Sequence, residues 1–371
     1  MSDKINVLVT CMGGYGALNL VQDFQRSSLA DRVRFVGTHM DPYFLARSDI
    51  DTLYKVPGAL ADPEKYLDVT RRIIEKEKID VLIPKSDAEV KAVSAHRDTL
   101  NCCTFLPAHE EIEIAQDKFS FYEVLRDAGI PAAETYCLES FDDIGPTLDK
   151  LPDAKRHWVR IKTAGEAGAF GASWVESQRQ AEDWIRLWVE MRGIDIREFT
   201  ISEYLPGRLF ECFTIFKDGT LRLAKVYENV RFNPGTSIGV GIGSTPGLAR
   251  TIDDEEARAA LNTSIQAVEA AGAKVGSKPN GVYHLSAKHN EKGEPCITEV
   301  NIGRPPSTVG FFSRTGKTNA AELFLYYAAG VEIADPDPVF DLQSDPVYMI
   351  RSLDRELTLC TQADIDGLQE I

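Results

Sequence analysis

The sequence lacks the marks of several large protein classes. It has no apolar run near the ~20 residues that span a bilayer and no low-complexity tract, so no membrane partner is expected. Cysteine is sparse and unpatterned. The seven cysteines, an odd number, include an adjacent pair at Cys102 and Cys103 but no Cys-x-x-Cys or Cys/His cluster, which argues against a disulfide framework or a structural zinc site. Cys11 reads as a small buried hydrophobe or as a reactive thiol. Positive charge is in short supply: 41 Lys and Arg against 57 Asp and Glu leave a net charge of −16. A nucleic-acid partner, which needs a basic face, is therefore not expected. A nucleotide is not excluded, because local pocket charge decides its binding. The chain opens directly into a strand rather than a basic-then-apolar export signal, so the expected location is the cytoplasm. No Ser/His/Asp or Cys/His set stands at a recognisable catalytic spacing.

What is present is globular: 371 residues, 43% hydrophobic and 26% charged, a length that suggests two or three domains. An apolar strand over 5–10 runs into Cys11-Met-Gly-Gly-Tyr-Gly16, followed by a helix over 17–24. Such a turn serves tight strand-to-helix packing, or it lets backbone approach a phosphate or carboxylate at a helix N-terminus. The G-x-G-x-x-G spacing of a dinucleotide site is missing. Strands are expected at 33–38 and 79–84, a helix at 63–78 between them, and a short fourth strand at 103–106. Alternating strands and helices predict a doubly wound parallel sheet. Asp87 and Glu89, at a strand end, could shape a pocket, or Ser86 or Asp87 could simply cap a helix.

Asp117-Lys118 opens a helix that ends at Gly129-Ile-Pro131, after which extended chain resumes. His157-Trp-Val-Arg-Ile-Lys162 reads as a strand whose terminal lysine can reach a phosphate. The following Gly/Ala-rich loop, with Gly168 and Gly171, returns to a strand at 174–175, unlike a P-loop, which leads into a helix. It reads as a lid over phosphates or as a long hairpin loop. Phe199-Thr-Ile-Ser-Glu-Tyr-Leu-Pro-Gly207 is a strand closed by a turn, and the backbone of 203–205 can read an adenine edge. Strands at 213–216 and 221–226 form a hairpin around Asp218-Gly219, with Lys225 and Arg231 on or just beyond it. In Glu294-Pro-Cys-Ile-Thr-Glu-Val-Asn-Ile-Gly-Arg304, strand alternation puts Glu299 and Asn301 on one face. That pair suits Mg²⁺, or it belongs to a solvated strand face.

These pieces, in this order, resemble the ATP-grasp superfamily, in particular the branch of the carbamoyl-phosphate synthase large chain, biotin carboxylase and the carboxylate–amine ligases. The matching residues are Asp117-Lys118, Lys162 with its Gly-rich loop, Ser202-Glu-Tyr-Leu-Pro-Gly207, and Glu299-Val-Asn301 with Arg304. The resemblance implies an α/β pre-ATP-grasp domain at 1–115, an N-lobe with a glycine-rich lid at 116–205, and a C-lobe at 206–371. It implies ATP held by Lys118, Lys162, Gly168, Gly171, Glu203, Tyr204 and Leu205. Mg²⁺, with Mn²⁺ as an alternative, would lie on Glu299 and Asn301, and Arg231 and Arg304 would stabilise phosphate or an acyl intermediate. Two positions depart from the pattern: Ser286 stands where the family has an acidic or Gln metal ligand, and Leu209 where it often has a ribose-binding Glu. Glu211, on the same strand face as Leu209, is the substitute expected there. The implied activity is ATP-dependent carboxylate–amine ligation of small metabolites through an acyl phosphate, with homodimers a common family habit. The alternatives are bicarbonate activation and nucleotide binding without bond formation.

Overall fold

A computed structural model describes residues 4–152, 154–162, 171–232, 246–351 and 358–363. The N-terminal part is a parallel sheet of β1 (Ile5–Val9), β2 (Val33–His39), β3 (Thr52–Lys55) and β4 (Val81–Ile83), in the order β3-β2-β1-β4. Val7, Leu8 and Val9 are all buried, as expected for a central strand covered on both faces. The fourth strand is Thr52–Lys55, not 103–106. Residues 103–106 run into Pro107, and Cys103 makes only an isolated bridge to Val81. The four-residue β3 is an edge strand with no fully buried residue, which left little apolar signal to read. Helix Pro63–Glu77 starts as its residues dictate, with Asp62 accepting from Lys65 N–H and proline in the first turn.

A second, antiparallel sheet holds β5 (Thr135–Cys137), β6 (His157–Ile161), β7 (Ser173–Val175) and β8 (Phe199–Glu203), ordered β5-β8-β6-β7. The third sheet is built from β9 (Leu209–Lys217), β10 (Thr220–Phe232), β11 (Pro246–Thr251), β12 (Gly281–His289), β13 (Pro295–Ile302), β14 (Val347–Ile350) and β15 (Thr358–Thr361). Its order is β13-β12-β9-β10-β11-β14-β15, with antiparallel neighbours throughout. Helix Glu255–Lys274 lies on this sheet through a face rich in small residues, Ala257, Ala260, Ala267 and Ala271, which lets it approach closely. No helix among the described residues is long and apolar enough to cross a membrane.

The buried cores do not follow the sheets one for one. Leu8, Val36 and Leu82 of the parallel sheet share a cluster with Phe210, Ala224 and Leu285 of the large sheet. On the other side, Val7 and Phe24 share one with Phe213, Phe312 and Phe324. Residues 138–201 instead form their own small core around Leu138, Val159, Ile185 and Phe199. One body and one small lobe result, and a cavity lined by both lies between them.

Candidate active site

The cavity measures about 790 Å³ and is lined by the turns that follow β1 and β4 of the parallel sheet and by strands of the other two sheets. Its first wall is the glycine turn. Gly13 has φ +91°, and a Cβ there would fall 1.7 Å from the Phe44 carbonyl oxygen, so this glycine serves packing against the chain at Phe44. Gly14, Tyr15 and Gly16 line the cavity itself. Below the turn, Ser86 caps helix Asp87–Ala95 in a capping box with Glu89. Glu89 is buried and also accepts from Thr10 Oγ1 at 2.6 Å and Cys11 Sγ at 3.0 Å. Glu89 is therefore a structural carboxylate, and Cys11 is its donor, with burial pushing the thiol's pKa far up.

The cationic wall comes from the small lobe and the helix that follows the first sheet. Asp117 caps helix Lys118–Asp127 through Phe119 and Ser120 N–H groups at 3.0 and 2.7 Å, presenting Lys118 to the cavity. Lys118 N–H also bonds the Lys162 carbonyl at 2.8 Å, so the two lysine segments touch by backbone. Along β6, Trp158 and Arg160 face the cavity while Val159 enters the lobe's core, with Ile161 in the core but also touching the cavity. Arg160 Nη1 donates to the Thr298 carbonyl on β13 at 2.8 Å, reaching across from lobe to body. Burial lowers the pKa of both Lys118 and Arg160, and the Glu299 carboxylate opposes that shift at each.

Oxygen donors stand opposite. Glu299 and Asn301 both line the cavity from β13. Arg304 Nη2 donates to Asn301 Oδ1 at 2.6 Å, and its guanidinium grips Asp87 at 2.8 and 3.2 Å. Burial works against the Arg304 charge, but Asp87 and Glu299 more than offset it and raise its pKa. The strand register sets Glu211, Ser286 and Glu299 in a row across β9, β12 and β13. Ser286 Oγ donates to Glu211 Oε2 at 2.8 Å. Glu211 is buried, and its pKa is raised to about 8 by desolvation, with nearby Glu299 adding to the rise. His284 Nε2 lies 3.4 Å from Glu211 Oε2, and burial first and then Arg304 drive the imidazole pKa down to about 3. Glu211 thus stands across Ser286 from Glu299.

At the other end Glu203, Tyr204 and Leu205 line the cavity with Trp158, Trp174 and Ser202. Lys288 Nζ lies 5.0 Å from the Tyr204 ring centre, and the Arg156 guanidinium 4.2 Å from that of Trp174. This end offers flat apolar surface with backbone edges, and Leu209 also lines the wall.

The structure thus brings Lys118, Glu203, Tyr204, Leu205, Glu211, Glu299, Asn301 and Arg304 to one cavity. Lys162 and Arg231 do not line it. The Lys162 charge bears on Asp195 and Cys137, and Arg231 is exposed beside an irregularity in the β10–β11 pairing. Gly171, at φ +66°, lets Ile161 approach where a Cβ would stand 2.4 Å from its Cδ1. Gly168 and most of the lid segment lie outside the described residues. Sequence reasoning missed Arg160 and Lys85, both cavity-lining cations. Arg160 had a signal, since it alternates with Lys162 along the strand; Lys85 had none beyond its place at a strand end.

Among the described residues no group of three or more His, Cys, Asp or Glu is placed to hold a metal alone. Glu299 and Asn301, with Glu211 nearby, are hard oxygen donors too few for a cage, which fits an ion that completes its shell with phosphate oxygens and water.

No family model matches the sequence. Over 217 residues it is 25% identical to the carbamoyl phosphate synthase large chain of Thermoplasma acidophilum, a match covering 56% of this chain but only 20% of that protein. The fold is shared far more widely. An L-amino acid ligase from Bacillus licheniformis superposes with TM-score 0.68 at 15% identity, covering 94% of this chain and 80% of the other. An N5-carboxyaminoimidazole synthetase from Staphylococcus aureus complexed with ADP gives 0.70 at 12% identity, covering 94% and 83%. Biotin carboxylase from Campylobacter jejuni gives 0.69 at 14%, covering 93% and 75%. The chain has the ATP-grasp fold. Within that fold, the lysine, glutamate and asparagine positions described above fall in the cleft between the small lobe and the body.

Proposed function

We propose that this protein is an ATP-dependent carboxylate–amine ligase acting on small metabolites. One observation carries the reading: Lys118 and Arg160 converge with Glu299, Asn301 and Arg304 at one end of a cleft whose other end is formed by Glu203, Tyr204 and Leu205. The polyphosphate takes the charged end and adenine the flat one. In the reaction a substrate carboxylate oxygen attacks the γ-phosphorus of ATP and ADP leaves. The amine then attacks the acyl carbon, loses its proton, and phosphate leaves. Lys118, Arg160 and Arg304 position and neutralise the transferred phosphoryl group; no side chain needs to act as nucleophile. Lys162, with Gly168 and Gly171 of the segment after it, is assigned to covering the phosphates, and Arg231 to the acyl intermediate. Mg²⁺, or Mn²⁺ in its place, would be held by Glu299 and Asn301, and when bound supplies charge neutralisation along the phosphates.

The test incubates purified protein with Mg·ATP and pooled carboxylates and amino acids, following phosphate release. Release that rises with an acceptor mixture supports the ligase reading. ATP binding without stimulation by any mixture refutes it. Similarity to the carbamoyl phosphate synthase large chain supports a second reading, bicarbonate activation, which stimulation by bicarbonate alone would select.

A further inference from the structure

Two polar side chains that line the cavity, Glu211 on β9 and His284 on β12, belong neither to the cationic wall nor to the Glu299/Asn301 pair. Glu211 stands directly opposite Ser286, and His284 opposite Phe213 on one side and Asn301 on the other. Two residues along a strand share a face, so His284 and Glu211 are diagonal neighbours across the β9–β12 pairing. His284 is only 8% exposed, yet its Nε2 has no hydrogen-bond partner among the described residues. A buried ring nitrogen left unpaired costs free energy and calls for a partner of its own.

The surrounding side chains do not supply that partner. Asn301 Oδ1 already accepts from Arg304, and Arg304 is held by Asp87. Phe312 presents only its ring, 6.0 Å from the imidazole centre. Glu211 Oε2 accepts from Ser286 Oγ at 2.8 Å, and at 3.4 Å from His284 Nε2 it lies outside the usual N–H···O range of about 2.7–3.2 Å. The 3.4 Å separation suits another arrangement. Two ligands each ~2.1 Å from one ion stand roughly 3.0–3.5 Å apart, between right-angled and tetrahedral geometry. The Ser286 hydroxyl would then orient the carboxylate from behind, as outer-shell donors do.

We infer that Glu211 Oε2 and His284 Nε2 form a cation position of their own, one strand over from the Glu299/Asn301 pair, and that it takes a divalent first-row transition cation in preference to Mg²⁺. The donor chemistry sets the preference, because Mg²⁺ wants oxygen ligands and an imidazole nitrogen suits transition cations. Two protein ligands leave the rest of the shell to water or to a phosphate or carboxylate oxygen in the cavity. The position stands whichever substrate the enzyme activates, since it depends on the β9–β12 register and not on the ligase reading.

The test uses the whole protein, free of any histidine tag, with Mn²⁺ as the probe and no nucleotide present. Pulsed EPR reads whether an imidazole nitrogen is bound to the ion, and of the six histidines only His284 lines the cavity. A saturable Mn²⁺ signal modulated by one coordinated nitrogen is expected, and a tenfold excess of Mg²⁺ should leave it in place. His284→Asn should abolish the modulation and Glu299→Gln should retain it. Ser286→Ala should keep the modulation while weakening Mn²⁺ binding about tenfold, the loss of an outer-shell contact. Melting curves check that each variant is folded. Mn²⁺ bound by the wild type without nitrogen modulation, or modulation that survives in folded His284→Asn, overturns the position. Loss of the modulation in folded Glu299→Gln would mean a single shared ion and overturns a separate one.

Discussion

At the scale of single residues, the cationic wall is decided by strand alternation rather than by the most obvious lysine. Trp158 and Arg160 face the cavity because the alternate position between them, Val159, is claimed by the lobe's core. Lys162 lies just past the end of β6, where its backbone bonds Lys118 N–H and the Glu198 carbonyl. Arg160 is partly buried and its charge is favoured by Glu299, so removing that charge strips a phosphate partner and leaves a carboxylate less compensated. Arg160→Gln is therefore expected to raise the Kd for Mg·ATP at least about tenfold, or about 1.4 kcal/mol, in a calorimetric titration. Lys162→Ala tests the neighbouring assignment: unchanged ATP affinity and turnover would remove Lys162 from the nucleotide site.

At the scale of elements, the row Glu211–Ser286–Glu299 spans three adjacent strands, and its register sets two carboxylates on either side of one hydroxyl. Ser286→Asp would add a third carboxylate to a site whose existing charge already raises the Glu211 pKa. The expected result is a lower Tm than wild type in a chelator, and a larger rise in Tm on adding Mg²⁺. A variant whose Tm responds to Mg²⁺ no more than the parent would argue against a metal at this row. The helix that carries Lys118 offers a milder test. Asp117→Ala removes both cap bonds and should cost ~1 kcal/mol in denaturant unfolding, with weaker ATP binding as the helix start loosens. Much of this was legible beforehand. Helix 63–77, the Asp117-Lys118 start and the Glu299/Asn301 face follow from caps and alternation, which are local. The contact of Glu211 with Ser286 was not, because it crosses 75 residues of sequence and depends on register between strands. Arg351 and Ser307, likewise, meet only through tertiary packing.

At the scale of the molecule, the resemblance implies a first domain at 1–115, and the hydrophobic core of that segment is shared with the rest of the chain. Leu8, Val36 and Leu82 pack in one cluster with Phe210 and Leu285, and Val7 and Phe24 in another with Phe312. A chain cut after residue 115 should accordingly bind a hydrophobic dye and melt without a cooperative transition, while the intact chain does neither. A sharp transition from that fragment would show that the shared core is dispensable.

The seam between those parts also holds a titratable group whose effect on global stability has a definite sign. Glu111, on helix His109–Gln116, is fully buried against the body. Ser277 Oγ donates to one of its oxygens at 3.2 Å, while the other has no partner among the described residues. Burial raises its pKa from 4.5 to about 7. Below 4.5 the carboxyl is neutral in both folded and unfolded chains, and the folded state bears no penalty. As pH rises the unfolded chain ionises first, so the stability Glu111 contributes drains away up to about 7, where the folded chain must ionise too. Glu111→Gln stays neutral throughout and can still meet Ser277. The Tm of Glu111→Gln minus that of wild type should therefore be larger at about pH 8 than at about pH 5, and the comparison cancels every other titrating group the two proteins share. A difference that is flat across this range, or that shrinks as pH rises, would mean the Glu111 carboxyl is solvated at the seam and that the two parts separate there more readily than the shared core implies.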